Sequence, residues 1–351
     1  MTLPPSNATI YTGDTIQGVP VIRHLNVSDL EPGKTHRFYF EGVQMGTGQH
    51  WYVPMVVAKG QRPGKRIALV AGVHGDELSS MDAVRRIMEQ LDPQAMAGTA
   101  IALYGVSRPA IEYIRSHWAI AQGGGEWVNF NRVWPGNEAG SDAPTRHAAL
   151  LWNRVIQGNV DVAIDYHTIT TGSEFTLLLY ANLQKPEIRQ MAELFPAEHI
   201  KDDAGEQGTL EMALIEAGIP ALTVEIGSPR IFDANKIALT VEGSLNVLKH
   251  YGVIDGTFGR TTKEAGTVIG NSFETIRSAC GGFLEMLVDV KSKVQPGQKI
   301  AVQRNAFGDV VAEYHASVAG EVAAIARDAL SEPGTRIVQI LYNDTGAAPE
   351  A

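Results

Sequence analysis

The stretch Ile67-Ala-Leu-Val-Ala-Gly72 runs directly into Val73-His74-Gly75-Asp76-Glu77, and this junction decides the fold. The apolar run has the composition of a buried strand, and a helical apolar pattern begins a few residues later. A strand that passes through a short loop into a helix is the unit of an α/β sheet with parallel strands. His74 and Glu77 therefore stand at the carboxyl end of a strand, where open α/β sheets bind their ligands.

The same alternation of apolar runs and helical patterns continues to about residue 250. Buried strands are predicted at 66–72, 99–106, 160–167, 176–180 and 221–227. Helices with one apolar face are predicted at 80–91, 186–195, 209–217 and 234–250. We therefore expect an α/β fold with a mainly parallel mixed sheet flanked by helices.

Three regions are expected along the 351 residues. Residues 1–60 read as a β-rich N-terminal lead-in, residues 61–258 as the α/β domain, and residues 259–345 as a smaller all-β domain. In the last region, Gln295-Pro-Gly and Glu332-Pro-Gly begin similar segments 37 residues apart, which resemble the halves of a biotinyl/lipoyl-type barrel-sandwich. The hairpin at 303–309 has no lysine, so we expect a cap and no swinging arm.

Composition excludes several classes of function. The formal net charge of −10 argues against a nucleic-acid partner, because such proteins usually present a basic face. The single cysteine, Cys280, excludes an internal disulfide and a multi-cysteine zinc site. No run of about 18 apolar residues predicts a membrane span, and the N-terminal residues lack a signal pattern. We expect a soluble, cytoplasmic protein with a small-molecule partner and no membrane contact, and homo-oligomerisation stays open.

A second strand supplies a second histidine at the same predicted sheet edge. His167 ends the apolar run 160–167, as His74 follows the run 66–72. The spacing of His74 and Glu77 alone is common, and an isolated histidine at a strand end is more often a structural hydrogen-bonding residue. Two histidines and one glutamate with an open water position are nevertheless a familiar catalytic zinc arrangement. His74, Glu77 and His167 are therefore predicted to hold one zinc ion.

Two further features suit substrate chemistry but leave alternatives open. Glu225 lies near the end of the apolar run 221–227, and a carboxylate there needs either a structural partner or a role as general base. Asn131 and Arg132 place an amide beside a guanidinium, and arginine binds carboxylates through a two-point fork. The usual fate of such an arginine, however, is a surface ion pair.

In their order along the chain, these motifs resemble the succinylglutamate desuccinylase/aspartoacylase family, a branch of the zinc carboxypeptidase-like (M14) fold. The resemblance covers about 65–255 and is carried by Gly72-x-His74-Gly75-x-Glu77, Asn129-x-Asn131-Arg132-x-x-Pro135-Gly136, Asp165-x-His167 and Glu225-x-Gly227. It implies that His74, Glu77 and His167 bind zinc and that Glu225 is the general base and acid. It also implies that Asn131 and Arg132 hold a substrate carboxylate.

The resemblance further suggests Arg115 as a substrate-binding and oxyanion-stabilising residue. The family commonly has an Asn-Pro turn ahead of this arginine, whereas this chain has Arg108-Pro109. An insertion that contains Gly123, Gly124 and Gly125 separates Arg115 from Asn131. We therefore expect an altered pocket and leave the oxyanion-stabilising residue open.

The expected function is that of a zinc-dependent amidohydrolase that cleaves the linear amide of an N-acyl amino acid or similar small acylated amine. The alternative is a metallo-carboxypeptidase that acts on small peptides, because its metal ligands would look the same. A β domain beside the crevice favours compact substrates over polypeptides. A metal-binding protein without catalysis would need Glu225 only for structure. The acyl group and the amino acid stay open.

Overall fold

The chain is rich in short strands. The computed structural model describes residues 8–120 and 125–345. Its strands, in chain order, are β1 (Ile10–Ile16), β2 (Val19–His24), β3 (Lys34–Gln44), β4 (His50–Lys59), β5 (Arg62–Ala71), β6 (Ala97–Tyr104), β7 (Trp118–Ala119), β8 (Trp127–Val128), β9 (Val162–His167), β10 (Ser173–Phe175), β11 (Leu177–Ala181), β12 (His199–Asp202), β13 (Ala221–Ile226), β14 (Val268–Gly270), β15 (Ser272–Arg277), β16 (Gly282–Met286), β17 (Lys293–Val294), β18 (Lys299–Arg304), β19 (Val310–His315), β20 (Gly320–Ala326), β21 (Leu330–Ser331) and β22 (Arg336–Tyr342).

Helices fill the connections of the first 265 residues. They are α1 (Leu78–Met88), α2 (Arg108–Glu112), α3 (Ala143–Leu151), α4 (Pro186–Glu193), α5 (Leu210–Glu216), α6 (Ala234–His250) and α7 (Thr262–Ala265). Side-chain caps start several of them, because the first backbone N–H groups of a helix have no partner within it. Asp142 caps α3 by accepting from Thr145 N, and Asp233 caps α6 by accepting from Lys236 N. Among the described residues, no helix combines the length and apolarity needed to cross a bilayer.

An 11-stranded sheet forms the centre of the molecule, with the strand order β1-β2-β3-β4-β6-β5-β9-β13-β11-β12-β14. Six of its ten pairings are parallel, among them the central run β6-β5-β9-β13. The predicted fold class is thus confirmed. The strands of the predicted N-terminal lead-in do not form a separate unit, since β4 pairs with β6 and extends the central sheet.

The central strands are buried on both faces. Ile67, Leu69, Val162 and Ile164 face one apolar cluster, which is covered by α1, α4 and α6. The alternate positions face a second cluster, which is covered by α3 and α5 and includes Ala163 and Ala221, Leu210 and Leu214. Because successive side chains of a strand point to opposite faces, Asp165 and His167 lie on the same face as Ala163. The candidate site therefore lies on the α5 side of the sheet.

The C-terminal β region builds two smaller sheets, with the orders β10-β20-β22-β15 and β19-β18-β16-β21. Its apolar core includes Ile300, Val322 and Ile340. The two Pro-Gly segments each form a turn before a strand, β18 in one case and β22 in the other. The boundary with the α/β region is interlaced: β10 pairs with β20, whereas β14 joins the central sheet beside β12.

Each of the five predicted strands and four predicted helices is present, with ends shifted by up to four residues. Helix α1 begins at Leu78 and ends at Met88, so the predicted Leu91 packs on the core from the turn that follows the helix. Sequence periodicity missed α3, which is short and is started by the Asp142 cap with a proline in its first turn. Of the predicted triple-glycine insertion, residues 121–124 lie outside the described part of the chain.

Candidate active site

The loop after β5 carries His74 and Glu77 in a tight backbone path. Gly72 has a φ of +76°, and a Cβ atom at this residue would collide with the backbone of Gly105. At Gly75, a Cβ atom would collide with the backbone of Ala110 at α2. Glycine is the residue that tolerates both a positive φ and such close approach. The two glycines therefore let the loop turn sharply, and His74 and Glu77 stay above the carboxyl end of β5.

Glu77 bridges the two histidines. Its Oε1 lies 2.8 Å from His74 Nδ1, and its Oε2 lies 2.8 Å from His167 Nδ1. The two imidazole ring centroids are 5.1 Å apart. This convergence follows from strand pairing, because β5 and β9 are parallel neighbours with Ala71 opposite Tyr166. All three side chains are largely buried.

The other nitrogen of each imidazole faces an acceptor. His74 Nε2 lies 3.0 Å from Asn129 Oδ1, and His167 Nε2 lies 2.9 Å from Asp165 Oδ2. The second contact has an ion-pair distance but does not have hydrogen-bond geometry. The acceptor at His74 Nε2 favours the Nε2–H form of that ring, which leaves its Nδ1 lone pair available for a metal. Asn129 and Asp165 belong to the quoted motifs, but the sequence alone pointed to no role for either residue.

The buried titratable side chains of this cluster shift one another's pKa values. Burial by itself would raise the pKa of Glu77, but the adjacent His74 and His167 outweigh that effect and lower the pKa to about 2. Burial would lower the pKa of His167, yet Asp165 and Glu77 hold it well above the usual histidine value. Two imidazoles beside the carboxylates of Glu77 and Asp165 form an environment that favours a cation.

The donor set fits a metal ion. His74, Glu77 and His167 each offer one ligand atom, and these atoms lie within 4.8 Å of one another. Two imidazole nitrogens and a carboxylate oxygen are a ligand set that suits zinc and leaves a position for water. The predicted ligands are therefore brought together by the structure.

Glu225 faces this cluster from the next strand. It lies opposite His167 in the parallel pair β9 and β13, and its Oε2 is buried without a hydrogen-bond partner. Burial raises the pKa of Glu225 to about 7, although the positive charge of His167 counteracts part of this rise. A carboxyl group with such a pKa can both accept and return a proton near neutral pH.

Asn131 and Arg132 lie in a short helical turn, Phe130–Arg132, beside the first turn of α5. Asn131 Oδ1 accepts a hydrogen bond from Leu210 N at 2.9 Å, which fixes this turn against the helix. The Arg132 side chain is 42% exposed, and its Nη2 lies 2.6 Å from Glu206 Oε2. Arg132 is thus within reach of both the cavity and solvent.

Arg115 does not join the cluster. Its side chain is exposed, and its backbone carbonyl accepts a hydrogen bond from Gly75 N at 2.9 Å. His117, to which the sequence motifs did not point, lines the cavity, and its ring centroid is 6.3 Å from that of His74. Burial, together with the charge of His74, lowers the pKa of His117 and favours its neutral form.

A cavity of about 310 Å³ lies beside the candidate metal ligands. It contains candidate metal ligands, Glu225 and the Asn131–Arg132 turn, but not Arg115. It also contains several acidic side chains that the sequence did not point to. Its lining residues are His74, Ser116, His117, Asn129, Asn131, Arg132, His167, Thr170, Tyr180, Asp203, Gly205, Glu206, Thr209, Glu211, Thr223 and Glu225.

A larger groove lies elsewhere, between α1 and strands β3, β4 and β6. Its volume is about 790 Å³, and its lining includes Val56, Met81, Tyr104 and the exposed Phe232. It has none of the candidate metal ligands. Size alone therefore does not identify the functional cavity, whereas the convergence of titratable groups does.

The chain is similar to several known proteins. Residues 63–251 match the family described as Succinylglutamate desuccinylase/Aspartoacylase catalytic domain. Among curated proteins, the chain is similar to the N-alpha-acetyl-L-2,4-diaminobutyric acid deacetylase of Halomonas elongata. The two are 25% identical over 285 residues, which are 78% of this chain and 80% of the relative.

Solved structures share the fold. The product-bound ectoine utilization protein EutE (DoeB) from Ruegeria pomeroyi matches with a TM-score of 0.80 and 20% identity, over 96% of this chain and 99% of that one. A succinylglutamate desuccinylase/aspartoacylase from Rhodobacter sphaeroides matches with a TM-score of 0.76 and 22% identity, over 91% of this chain and 100% of that one. The likeness spans both the α/β and the C-terminal β regions.

Proposed function

The chain belongs to the succinylglutamate desuccinylase/aspartoacylase family, and from this premise we propose that it is a zinc-dependent deacylase of N-acyl amino acids. The reaction is hydrolysis of the linear amide that joins a small acyl group to the amino group of an amino acid. The observation that carries the proposal is the Glu77 carboxylate held between the Nδ1 atoms of His74 and His167. The unpartnered carboxyl oxygen of Glu225 lies on the adjacent strand.

We assign His74, Glu77 and His167 as the residues that would hold one zinc ion. Zinc bound there would polarise the acyl carbonyl and lower the pKa of a water molecule to about 7. Asn129 would orient the His74 ring through its contact at Nε2, and the Asp165 carboxylate, 2.9 Å from His167 Nε2, would hold the second ring by charge. Such outer partners fix the ring orientation and make the imidazoles better ligands.

Glu225 is the proposed proton carrier. Its Oε2 accepts a proton from the attacking water and returns it to the departing amine nitrogen, so the carboxyl group ends the cycle in its starting state. A pKa of about 7 suits both transfers. Asn131 and Arg132 are the proposed binders of the substrate carboxylate, and Arg132 would exchange Glu206 for it. A contribution of Arg115 would require its side chain to turn toward the cavity.

The size of the cavity and one relative support a compact acyl amino acid. A cavity of about 310 Å³ suits a small acylated amino acid. The similar Halomonas elongata protein is named for the deacetylation of an N-acetylated diamino acid. The rival function is that of a metallo-carboxypeptidase, which would cleave short peptides at the same metal.

The proposal is tested with purified protein, first as isolated and then after chelation and addition of zinc. Elemental analysis should find about one zinc ion per chain. Release of free amine is measured with N-acetyl, N-succinyl and N-formyl amino acids and with dipeptides. We expect at least one N-acyl series to be cleaved faster than the dipeptides. Activity should disappear with the metal and return with zinc.

Variants separate metal binding from general effects on folding. His74→Ala and His167→Ala should each reduce both the zinc content and the rate. His315→Ala is the matched control, because His315 is exposed on β19 of the C-terminal region. An isolated protein without divalent metal that does not respond to added zinc would overturn the proposal. Faster cleavage of dipeptides would favour the carboxypeptidase.

A further inference from the structure

Glu211 is a cavity residue that the proposed mechanism does not use. It lies in the first turn of α5 with an exposure of 6%. Its Oε2 accepts a hydrogen bond of 2.7 Å from Thr223 Oγ1, whereas its Oε1 is buried without a partner. Within residues 8–120 and 125–345, no ion pair closer than 4.0 Å involves Glu211. Leaving a buried carboxyl oxygen unpaired is costly, so this side chain needs a partner that the protein does not supply.

The surroundings of Glu211 add negative charge. Asp203 also lines the cavity, and its only close cation is Lys201, at 3.3 Å in the described part of the chain. Burial raises the pKa of Glu211 to about 8, and Asp165 and Asp203 add to this rise, whereas the hydrogen bond from Thr223 and the positive charge of His167 oppose it. A bound cation would remove this penalty, because it favours the charged carboxylate.

Glu211 is also placed between the two proposed functional groups. Thr223 stands two positions before Glu225 on β13, so both side chains point to the same face, into the cavity. On the other side, Leu210 N is bonded to Asn131 Oδ1, which puts the start of α5 against the proposed carboxylate-binding turn. An amino acid held there by its carboxylate would extend its side chain into this acidic part of the cavity.

We infer that Glu211, assisted by Asp203, binds an ammonium group on the substrate side chain and so selects N-acyl derivatives of diamino acids. The inference rests on the proposed deacylase function and adds the residue that sets its specificity. An ammonium group donates to the free Oε1 of Glu211 and neutralises the local excess of carboxylates. A charge-assisted hydrogen bond of this kind is among the stronger polar contacts in proteins.

The test compares matched substrates that differ only in the cationic group. The cationic series is the Nα-acetyl derivatives of L-lysine, L-ornithine and L-2,4-diaminobutyrate, and the neutral series is those of norleucine, norvaline and 2-aminobutyrate. The parent protein should favour the cationic member of a pair by about 10- to 100-fold in kcat/KM, mainly through KM. Glu211→Gln should abolish this preference and leave the neutral substrates within about threefold.

Glu216→Gln is the matched control, because Glu216 lies on the same helix with an exposed side chain outside the cavity. It should retain the preference. Since the side-chain oxygen that remains in Glu211→Gln can still accept from Thr223 Oγ1, the fold should persist, and thermal unfolding of both variants checks this point. Asp203→Asn should reduce the preference less than Glu211→Gln.

A binding measurement separates this inference from the proposed function. Calorimetry with free L-ornithine and norvaline, on zinc-supplemented parent and variant, needs no turnover. Tighter binding of ornithine than of norvaline, lost in Glu211→Gln, supports the subsite whether or not an N-acyl amino acid is cleaved. A lack of cleavage would overturn only the deacylase function. Cleavage of both series with equal kcat/KM, or equal binding of both amino acids, would overturn the subsite and leave the deacylase standing.

Discussion

Glu225 lies directly opposite His167 across the parallel strands β9 and β13. Strand pairing alone therefore brings the proposed base beside a proposed metal ligand, without the help of a flexible loop. Residues on paired strands are positioned more precisely than residues on loops, which suits a proton transfer that depends on short distances. His74 and Glu77 reach the same point from the loop after β5, and Glu77 closes the cluster by contacting both imidazoles.

The first prediction concerns the acceptors behind the histidines. Asn129→Ala removes the partner of His74 Nε2, so the ring loses its fixed orientation. We expect zinc affinity to fall by about 10- to 100-fold. Competition with a chromogenic chelator measures this change. Asn129→Asp keeps an acceptor oxygen at the same place and should bind zinc more tightly than Asn129→Ala. Equal affinities for the parent and Asn129→Ala would show that the contact does not orient the ligand.

The second prediction concerns Arg132, the proposed binder of the substrate carboxylate. Arg132→Ala should raise KM for N-acyl amino acids by about 10- to 100-fold, because a charge-assisted hydrogen bond is lost. The corresponding N-acyl amino-acid amides, which have no carboxylate, should be affected little. Steady-state kinetics on both series makes the comparison. Equal losses on acids and amides would assign Arg132 to structure or to transition-state charge.

Glu206 provides the matched variant for this test. Its carboxylate forms an ion pair with the Arg132 guanidinium, and Glu206 Oε2 lies 2.6 Å from Arg132 Nη2. Glu206→Gln should lower KM for a neutral N-acyl amino acid, because the substrate carboxylate no longer competes with a charged partner. The amide substrate should again show little change. A higher KM for the acid would mean that Glu206 assists binding.

The third prediction is a pH dependence of stability caused by His147. This buried side chain donates from Nε2 to Val106 O at 2.9 Å and accepts at Nδ1 from Val43 N at 3.2 Å, so it must be neutral. Burial lowers its pKa to about 4. Above pH ~6.5, His147 is neutral in both the folded and the unfolded states. Its contribution to the free energy of unfolding therefore does not change with pH in this range.

Below pH ~6.5 only the unfolded state takes up this proton, so the free energy of unfolding falls until the pH reaches about 4. The loss attributable to His147 should total about 3 kcal/mol. Urea unfolding of the parent and His147→Gln, measured from pH 7 to pH 4, isolates it as a difference in slope. The variant should start less stable but lose less on acidification. Parallel curves would contradict a neutral buried His147.

Much of the site could be predicted from the sequence because its ligands follow strands. His74 and His167 end apolar runs, and carboxyl ends of neighbouring parallel strands share one edge of a sheet. Glu225 was recognisable as a carboxylate in an otherwise apolar strand. These signals are local, so a single sequence contains them.

Other parts of the site depend on contacts between segments that are distant in the chain. The predicted helix at 209–217 is present as α5, but its apolar pattern does not reveal that Glu211 bonds to Thr223 in the cavity. The contact of Asn129 with His74 joins residues that are 55 positions apart in the chain. The position of Arg115 depends on the path of a loop whose residues 121–124 lie outside the described structure. The order of strands β1 to β4 in the central sheet likewise has no local signature.

The central claim is that Glu225 carries the proton in a zinc-dependent deacylation, and the kcat of Glu225→Gln at full zinc occupancy tests it most directly. Gln keeps the shape of the side chain but cannot accept the proton from water. With zinc content equal to that of the parent, kcat for the preferred N-acyl amino acid should fall by about 10²- to 10⁴-fold. A variant that binds zinc and retains a near-parental kcat would show that another group is the base and would contradict the account.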